Sequence, residues 1–185
     1  MKLVIAEKPS VAQEYANVLG AHTRKEGYIE GNGYIISWCY GHLITLKTPD
    51  EYINRNWKDW NINQLPMIPD PFELKTISSS VSQYRQVKEL MNRSDVDEII
   101  VGTDAGREGE LIFRHVYNFA NCQKPFKRLW LNSLTKEDIE KGFKDLKNGR
   151  SYDSLYDAAY ARQIADWLYG MNISRLLALK YKARL

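Results

Sequence analysis

Cysteine is scarce in this chain: Cys39 and Cys122 are the two among 185 residues. They stand far apart and in no zinc-ligand spacing, so neither a disulfide framework nor a structural zinc site is indicated, and a reducing cytoplasm is the expected setting. Long apolar runs are missing as well. The first, Met1 to Ala6, meets Glu7 and Lys8 at once, which excludes a signal h-region or a membrane span; no membrane partner is expected. Charge of one sign does not dominate either. Lys and Arg number 26 against 23 Asp and Glu, and the resulting +3 permits a nucleic-acid partner without indicating one. There is no internal repeat and no low-complexity tract. What is present, 44% hydrophobic residues in a chain of this length, suffices for one sizeable core with an appendage.

Lys2 to Ala6 is a continuous apolar run that stops at Glu7-Lys8-Pro9-Ser10, where proline suits the first turn of a helix. The spacing predicts a helix over Val11 to Leu19, stopped by Gly20. A second such unit follows: a buried strand Glu98 to Val101, a glycine-rich loop Gly102 to Gly109, and a helix from Glu110 to Phe119. Two strand–loop–helix units imply a parallel α/β sheet. Between them, Tyr28 to Tyr40 alternates around Gly31-Asn32-Gly33 as a hairpin or bulged turn does. Asp50 to Phe72, with its prolines and with Trp57 and Trp60, reads as an ordered irregular excursion. Serines 78 to 80 lead into a helix over Val81 to Met91, Lys127 to Leu131 is the next expected strand, and Thr135 with Asp138 opens a helix reaching about Leu146. From Tyr152 to Lys182 the apolar residues fall at helical spacing, with Gly170 as a candidate kink. The chain ends inside this pattern without a capping residue, so the sequence is expected to continue in the natural protein.

Four groups of residues can carry chemistry. Glu7 and Lys8 lie where the first strand ends, the end at which open parallel sheets bind ligands, although charged residues flank many strands. Asp104 and Glu108 stand four apart across a turn after the buried strand. They suit Mg²⁺, a hard cation that accepts carboxylate, water and phosphate oxygens together. Acidic residues also decorate helix amino termini for the dipole alone; Gly106 and Gly109 favour function, because they let backbone amides approach a phosphate. Gly41-His42-Leu43 ends the strand containing Trp38, and taken alone a packed, hydrogen-bonded histidine is the more ordinary reading of it. His22 and His115 read as surface or structural residues. On the last helices, Arg162 and Asp166 can form an ordinary intrahelical pair, while Asn172, Ser174, Arg175, Lys180, Lys182 and Arg184 add polar and positive groups.

Four segments in order, IAEKPSVA, GTDAGREGELIFR, LWLNSLT and RQIADWLYGMNISR, resemble motifs of the topoisomerase III branch of the type IA DNA topoisomerases. The resemblance implies a Toprim fold, an α/β Rossmann-like arrangement with a mainly parallel central sheet flanked by helices. Residues 1–150 would form it, and residues 151–185 would begin the following helical domain. It implies Glu7 as the family's glutamate after strand one, Lys8 as the contact to the scissile phosphate, and Arg107 as the arginine between the acids. The acidic triplet Asp-x-Asp-x-Glu falls on Asp104, Gly106 and Glu108. Glycine at the middle position removes one carboxylate, which suits one Mg²⁺ held by Glu7, Asp104 and Glu108 better than two. His42, Arg162, Asp166 and Arg175 are placed by the resemblance along the DNA path.

The implied reaction is reversible, ATP-independent transesterification of single-stranded DNA through a 5′-phosphotyrosine. None of the twelve tyrosines lies in a stretch resembling the family's active-site tyrosine segment. The chain by itself is therefore expected to bind metal and DNA without relaxing DNA, and its implied partners are single-stranded DNA and the remaining domains of the same polypeptide. Two alternatives stay open: another Toprim catalyst, a nuclease or primase, and a non-catalytic nucleic-acid-binding module.

Overall fold

A computed structural model describes residues 1–181. In chain order the elements are β1 (Lys2–Ala6), α1 (Pro9–Leu19), β2 (Thr23–Lys25), β3 (Tyr28–Gly31), β4 (Tyr34–Trp38), β5 (Ile44–Leu46), β6 (Leu74–Thr76), α2 (Val81–Asn92), β7 (Glu98–Gly102), α3 (Arg107–Phe119), β8 (Phe126–Arg128), α4 (Lys136–Lys144), β9 (Lys147–Asn148) and α5 (Asp153–Tyr181). Seven strands form one sheet in the order β2-β3-β4-β1-β7-β8-β9, and β5 with β6 forms a separate pair. The four middle strands are mutually parallel, whereas the edge pairs β2–β3, β3–β4 and β8–β9 are antiparallel. The expected mainly parallel α/β sheet is therefore the architecture found.

The central strands are buried on both faces, with Leu3, Val4, Ile5, Ile99, Ile100 and Val101 fully inaccessible, as apolar runs without alternation require. Against one face pack Val11, Ala12, Tyr15 and Ala16 of α1 together with Ile139 of α4. Helix α1 starts on Pro9 and ends at Gly20, whose φ of 73° is the left-handed conformation that a side chain would strain. Helix α4 is capped by Thr135, whose hydroxyl accepts from the Asp138 amide.

Several boundaries differ from the sequence reading. Helix α3 begins at Arg107 rather than Glu110, which puts Glu108 in its first turn. Strand β4 stops at Trp38, so His42 lies in a loop. Strand β8 is confined to Phe126–Arg128, and the polar pair Lys147–Asn148 adds an edge strand that no apolar pattern announces. Helix α5 runs unbroken through Gly170. A lone glycine keeps its backbone donor, so it weakens a helix without interrupting it.

The chain divides into two units: Met1–Ile44 with Thr76–Ala159, and Thr45–Lys75 with the chain from Tyr160 onward. The first contains the seven-stranded sheet. In the second, the irregular excursion is ordered by Tyr52, Trp57, Met67 and Trp167, which form their own buried cluster. The Trp167 indole donates to the Lys47 carbonyl at 2.8 Å, and Asn172 bonds both the amide and the carbonyl of Met67. Lys182 and Arg184 lie outside the described residues.

Candidate metal and phosphate site

Strands β1 and β7 are parallel neighbours with Ala6 opposite Gly102, so the residues that follow them leave the sheet at the same end. Glu7 therefore meets the loop after β7. Its Oε2 accepts the Asp104 amide at 3.1 Å, and the residue is 8% exposed. Burial pushes the Glu7 pKa up, and the neighbouring Asp104 carboxylate adds to this; the Asp104 amide, Lys8 and His42 oppose it.

The loop from Thr103 to Gly109 folds back tightly. The Thr103 hydroxyl donates to the Gly109 carbonyl at 2.7 Å, and a Cβ on Gly109 would fall 2.1 Å from the Asp104 carbonyl oxygen. Only glycine admits that approach. The turn leaves Asp104, Arg107 and Glu108 exposed, and the Glu108 side chain, 70% accessible, pairs with His42 Nε2. His42 arrives on a third segment: after β4 the Cys39 amide bonds the Ala6 carbonyl at 2.9 Å and the Gly41 amide bonds the Glu7 carbonyl at 3.3 Å. His42 Nδ1 is buried and has no hydrogen-bond partner among the described residues. Lys8, exposed, is the residue before Pro9 at the start of α1. Glu7, Asp104, Glu108, His42 and Lys8, distant in sequence, thus share one end of the sheet.

Beneath the loop lies a charged network that the sequence reading missed. Arg128 and Glu110 are both fully buried, with Nε and Oε2 3.0 Å apart. Glu110 also receives Arg114 Nε at 2.9 Å, and Arg114 reaches the Gly149 carbonyl at 2.9 Å and Asp153 at 2.6 Å. The Arg128 guanidinium donates to the carbonyls of Val101, Thr103 and Leu129 at 2.7–2.9 Å, and to that of Asp104 at 2.6 Å. The signals available were the i, i+4 spacing of Glu110 and Arg114 and an arginine in phase with the inward Phe126. Charged residues in those positions are more often solvated.

A cleft of about 340 Å³ opens beside Asp104, lined by Tyr15, Thr103, Ala105, Leu131 and Asn132 among others. The Tyr15 hydroxyl is spent on the Gly102 carbonyl at 2.9 Å, and burial raises its pKa well above the ordinary phenol value. His115 is buried against Tyr156, and its pKa is pushed down to about 4, first by burial and then by His42; His22 is on the surface.

The other expected site residues belong to the second unit. Arg162 and Asp166 form an exposed pair at 3.6 Å. Arg175 is 6% exposed; its guanidinium donates to the Trp57 carbonyl at 2.6 Å and lies 5.2 Å from the centre of the Trp60 ring, and burial lowers its pKa. Lys180 is exposed near the end of α5.

Among the described residues, no three His, Cys, Asp or Glu side chains stand together closely enough to enclose an ion. The donors fit a sparser ligation. Glu7 and Asp104 are linked through backbone, Glu108 is one helical turn away in sequence, and all three are carboxylates. That set suits a hard cation that keeps several waters and shares phosphate oxygens, not a closed all-protein cage. Among the described residues no helix is long and apolar enough to cross a membrane.

The Toprim domain family model matches residues 2–134. The chain belongs to the Toprim family. Within that match fall Glu7, Lys8, His42, Asp104, Arg107, Glu108 and the buried Glu110–Arg114–Arg128 network. Similar curated proteins are named DNA topoisomerase 3: that of Shouchella clausii is 48% identical over 100% of this chain, that of Staphylococcus epidermidis 48% over 99%, and that of Bacillus subtilis 44% over 99%. This Toprim chain spans about a quarter of their length, 25%, 26% and 25% respectively. The full-length topoisomerase I structure from Thermotoga maritima shares the fold, with a TM-score of 0.64 at 21% identity over 95% of this chain and 26% of that one.

Proposed function

We propose that this Toprim chain is the metal- and phosphate-handling part of a type IA DNA topoisomerase of the topoisomerase 3 kind, acting in the cytoplasm. The intact enzyme would cleave and rejoin single-stranded DNA, without ATP, through a 5′-phosphotyrosine. The observation that carries the proposal is the meeting of Glu7 with the Asp104 amide at the shared end of β1 and β7, because it brings two acidic segments distant in sequence side by side.

Divalent-metal use goes with this family, and Mg²⁺ is the ion proposed for this site because every candidate donor is a carboxylate oxygen. Glu7, Asp104 and Glu108 would hold it, and with Gly106 contributing no carboxylate a single ion is the natural complement. When bound, the ion supplies positive charge to the phosphate oxygens. Lys8, exposed beside Glu7, is assigned to the scissile phosphate, and Arg107 to a neighbouring phosphate or to steadying a carboxylate. As the alternative to ligating the ion, Glu7 with its raised pKa suits a proton donor to the leaving 3′ oxygen, and a base when that hydroxyl attacks to reseal the strand. Tyr15 is a poor nucleophile, with its hydroxyl committed and its pKa raised; the tyrosine of the reaction is assigned to another part of the enzyme.

His42 is proposed to steady Glu108 next to the DNA path, and Arg162 with Asp166 to meet the DNA backbone. Arg175, already engaged, would act by holding Trp60, a residue 52% exposed. Residues 1–150 are proposed as the Toprim domain and 151–185 as the start of a helical one. The partners are single-stranded DNA and the other domains of the enzyme. Mg²⁺ titration followed by thermal unfolding tests the core of this reading. A saturable stabilisation that disappears in Asp104→Asn supports it; an equal response in wild type and variant refutes it.

A further inference from the structure

The geometry points to Arg128 as the positioning residue that holds the Asp104 peptide in place for its metal and phosphate work. The inference rests on the metal reading above. Three of the four carbonyls that Arg128 serves belong to Val101, Thr103 and Asp104, which are successive stations on the path from β7 into the loop. Beyond Gly102 the sheet no longer organises this backbone, and the guanidinium takes over. The peptide unit joining Thr103 to Asp104 then has both sides occupied, its carbonyl held by Arg128 at 2.7 Å and its amide given to Glu7 at 3.1 Å, and the next carbonyl, that of Asp104 itself, is held by Arg128 at 2.6 Å. Arg128 and Glu7 therefore grip one residue from opposite directions, and the carboxyl of Asp104 is the part left free.

A fold alone does not call for this arrangement. Burying a full charge costs solvation, and apolar residues of similar volume usually stabilise a core as well as a buried ion pair does. What an arginine adds is a rigid planar fork: Nη1 serves the carbonyls of Val101, Thr103 and Leu129 while Nη2 reaches that of Asp104 and Nε faces Glu110; a lysine, with one nitrogen, cannot reach all three directions. Glu110, fully buried and itself held by Arg114, balances the charge. Trp130 lies over the guanidinium at 5.2 Å and stacks on Tyr152 at 5.0 Å, and Arg128 itself has no solvent exposure. Supports of this kind, one step removed from the donors, commonly govern metal affinity by about ten- to hundredfold.

The test compares wild type with Arg128→Lys and Arg128→Gln, using Mn²⁺ affinity by electron paramagnetic resonance and amide exchange without metal. In a folded variant, the Asp104 amide should exchange at least about tenfold faster and Mn²⁺ should bind about ten- to hundredfold more weakly. Amides of α1 and β4 should exchange as in wild type. Wild-type exchange at Asp104 with Mn²⁺ affinity within about twofold, in a folded variant, overturns the inference. Loss of the fold in both variants overturns it too, since Arg128 would then serve the fold alone. If the wild-type chain binds no Mn²⁺, the metal reading fails, while the exchange comparison still decides whether Arg128 holds the Asp104 peptide.

Discussion

Glu108 and Glu110 stand two residues apart in the first turn of the same helix, and their fates are opposite. The first is 70% exposed with His42 for company; the second is completely buried between Arg128 and Arg114. Identical chemistry near one helix terminus thus serves two ends. Buried charge, held in an ion pair, fixes the shape of the loop, and the exposed carboxylate on the rim stays accessible to a cation. The difference teaches that an acidic residue in this motif must be judged by which way the helix turns it.

The sharpest way to break the comparison is to remove the buried acid. Glu110→Ala removes the counter-charge of buried Arg128 and one of the two carboxylates that Arg114 pairs with, and should destabilise the protein by about 3–5 kcal/mol in urea unfolding. A loss below about 1 kcal/mol would mean that the network is replaceable. Next in size is an acid-sensitive effect on the inward side of α3. The pKa of His115 in the folded state, about 4, lies below that of a free histidine, about 6.5. Between these values the unfolded chain takes up a proton that the folded one refuses, so stability should fall as pH drops through this window. His115→Gln should flatten the slope, and an unchanged slope would reject the account.

Glu7 works with the opposite sign. A carboxyl whose folded pKa is raised stabilises the fold while protonated, below its ordinary range, and loses that contribution as pH rises through the raised value. Glu7→Gln retains an oxygen for the Asp104 amide and carries no charge. It should melt higher than wild type at neutral pH, with the gap closing toward about pH 4; equal melting curves at neutral pH would contradict this. The smallest effect on stability belongs to the rim. Glu108→Gln should change unfolding by no more than about 0.5 kcal/mol while weakening Mg²⁺ binding, and a large stability loss would erase the contrast with Glu110.

Part of this was legible without coordinates. Continuous apolar runs at Lys2–Ala6 and Glu98–Val101, each followed by a glycine- or proline-bearing loop and a helix, are enough to anticipate parallel strands that deliver Glu7 and Asp104 to the same sheet end. Other features had no local signature. The pairing of His42 with Glu108 joins residues 66 apart, and β9 has two polar residues and no periodicity to reveal it. Arg175 looked like a free cation on a helix, but the excursion around Trp57 and Trp60 covers it.

The amino-acid pattern by itself determined the helices, the central strands β1 and β7 and the character of the rim, because hydrophobic period, helix stops and the need for glycine at tight turns are short-range constraints. Tertiary structure alone decided which charges became scaffold. The β7–β8 register sets Arg128 opposite Val101, directly below the departing loop, and burial there calls for a counter-charge, which Glu110 supplies. Such pairing depends on long-range register and the local dielectric, and neither is written in any window of neighbouring residues.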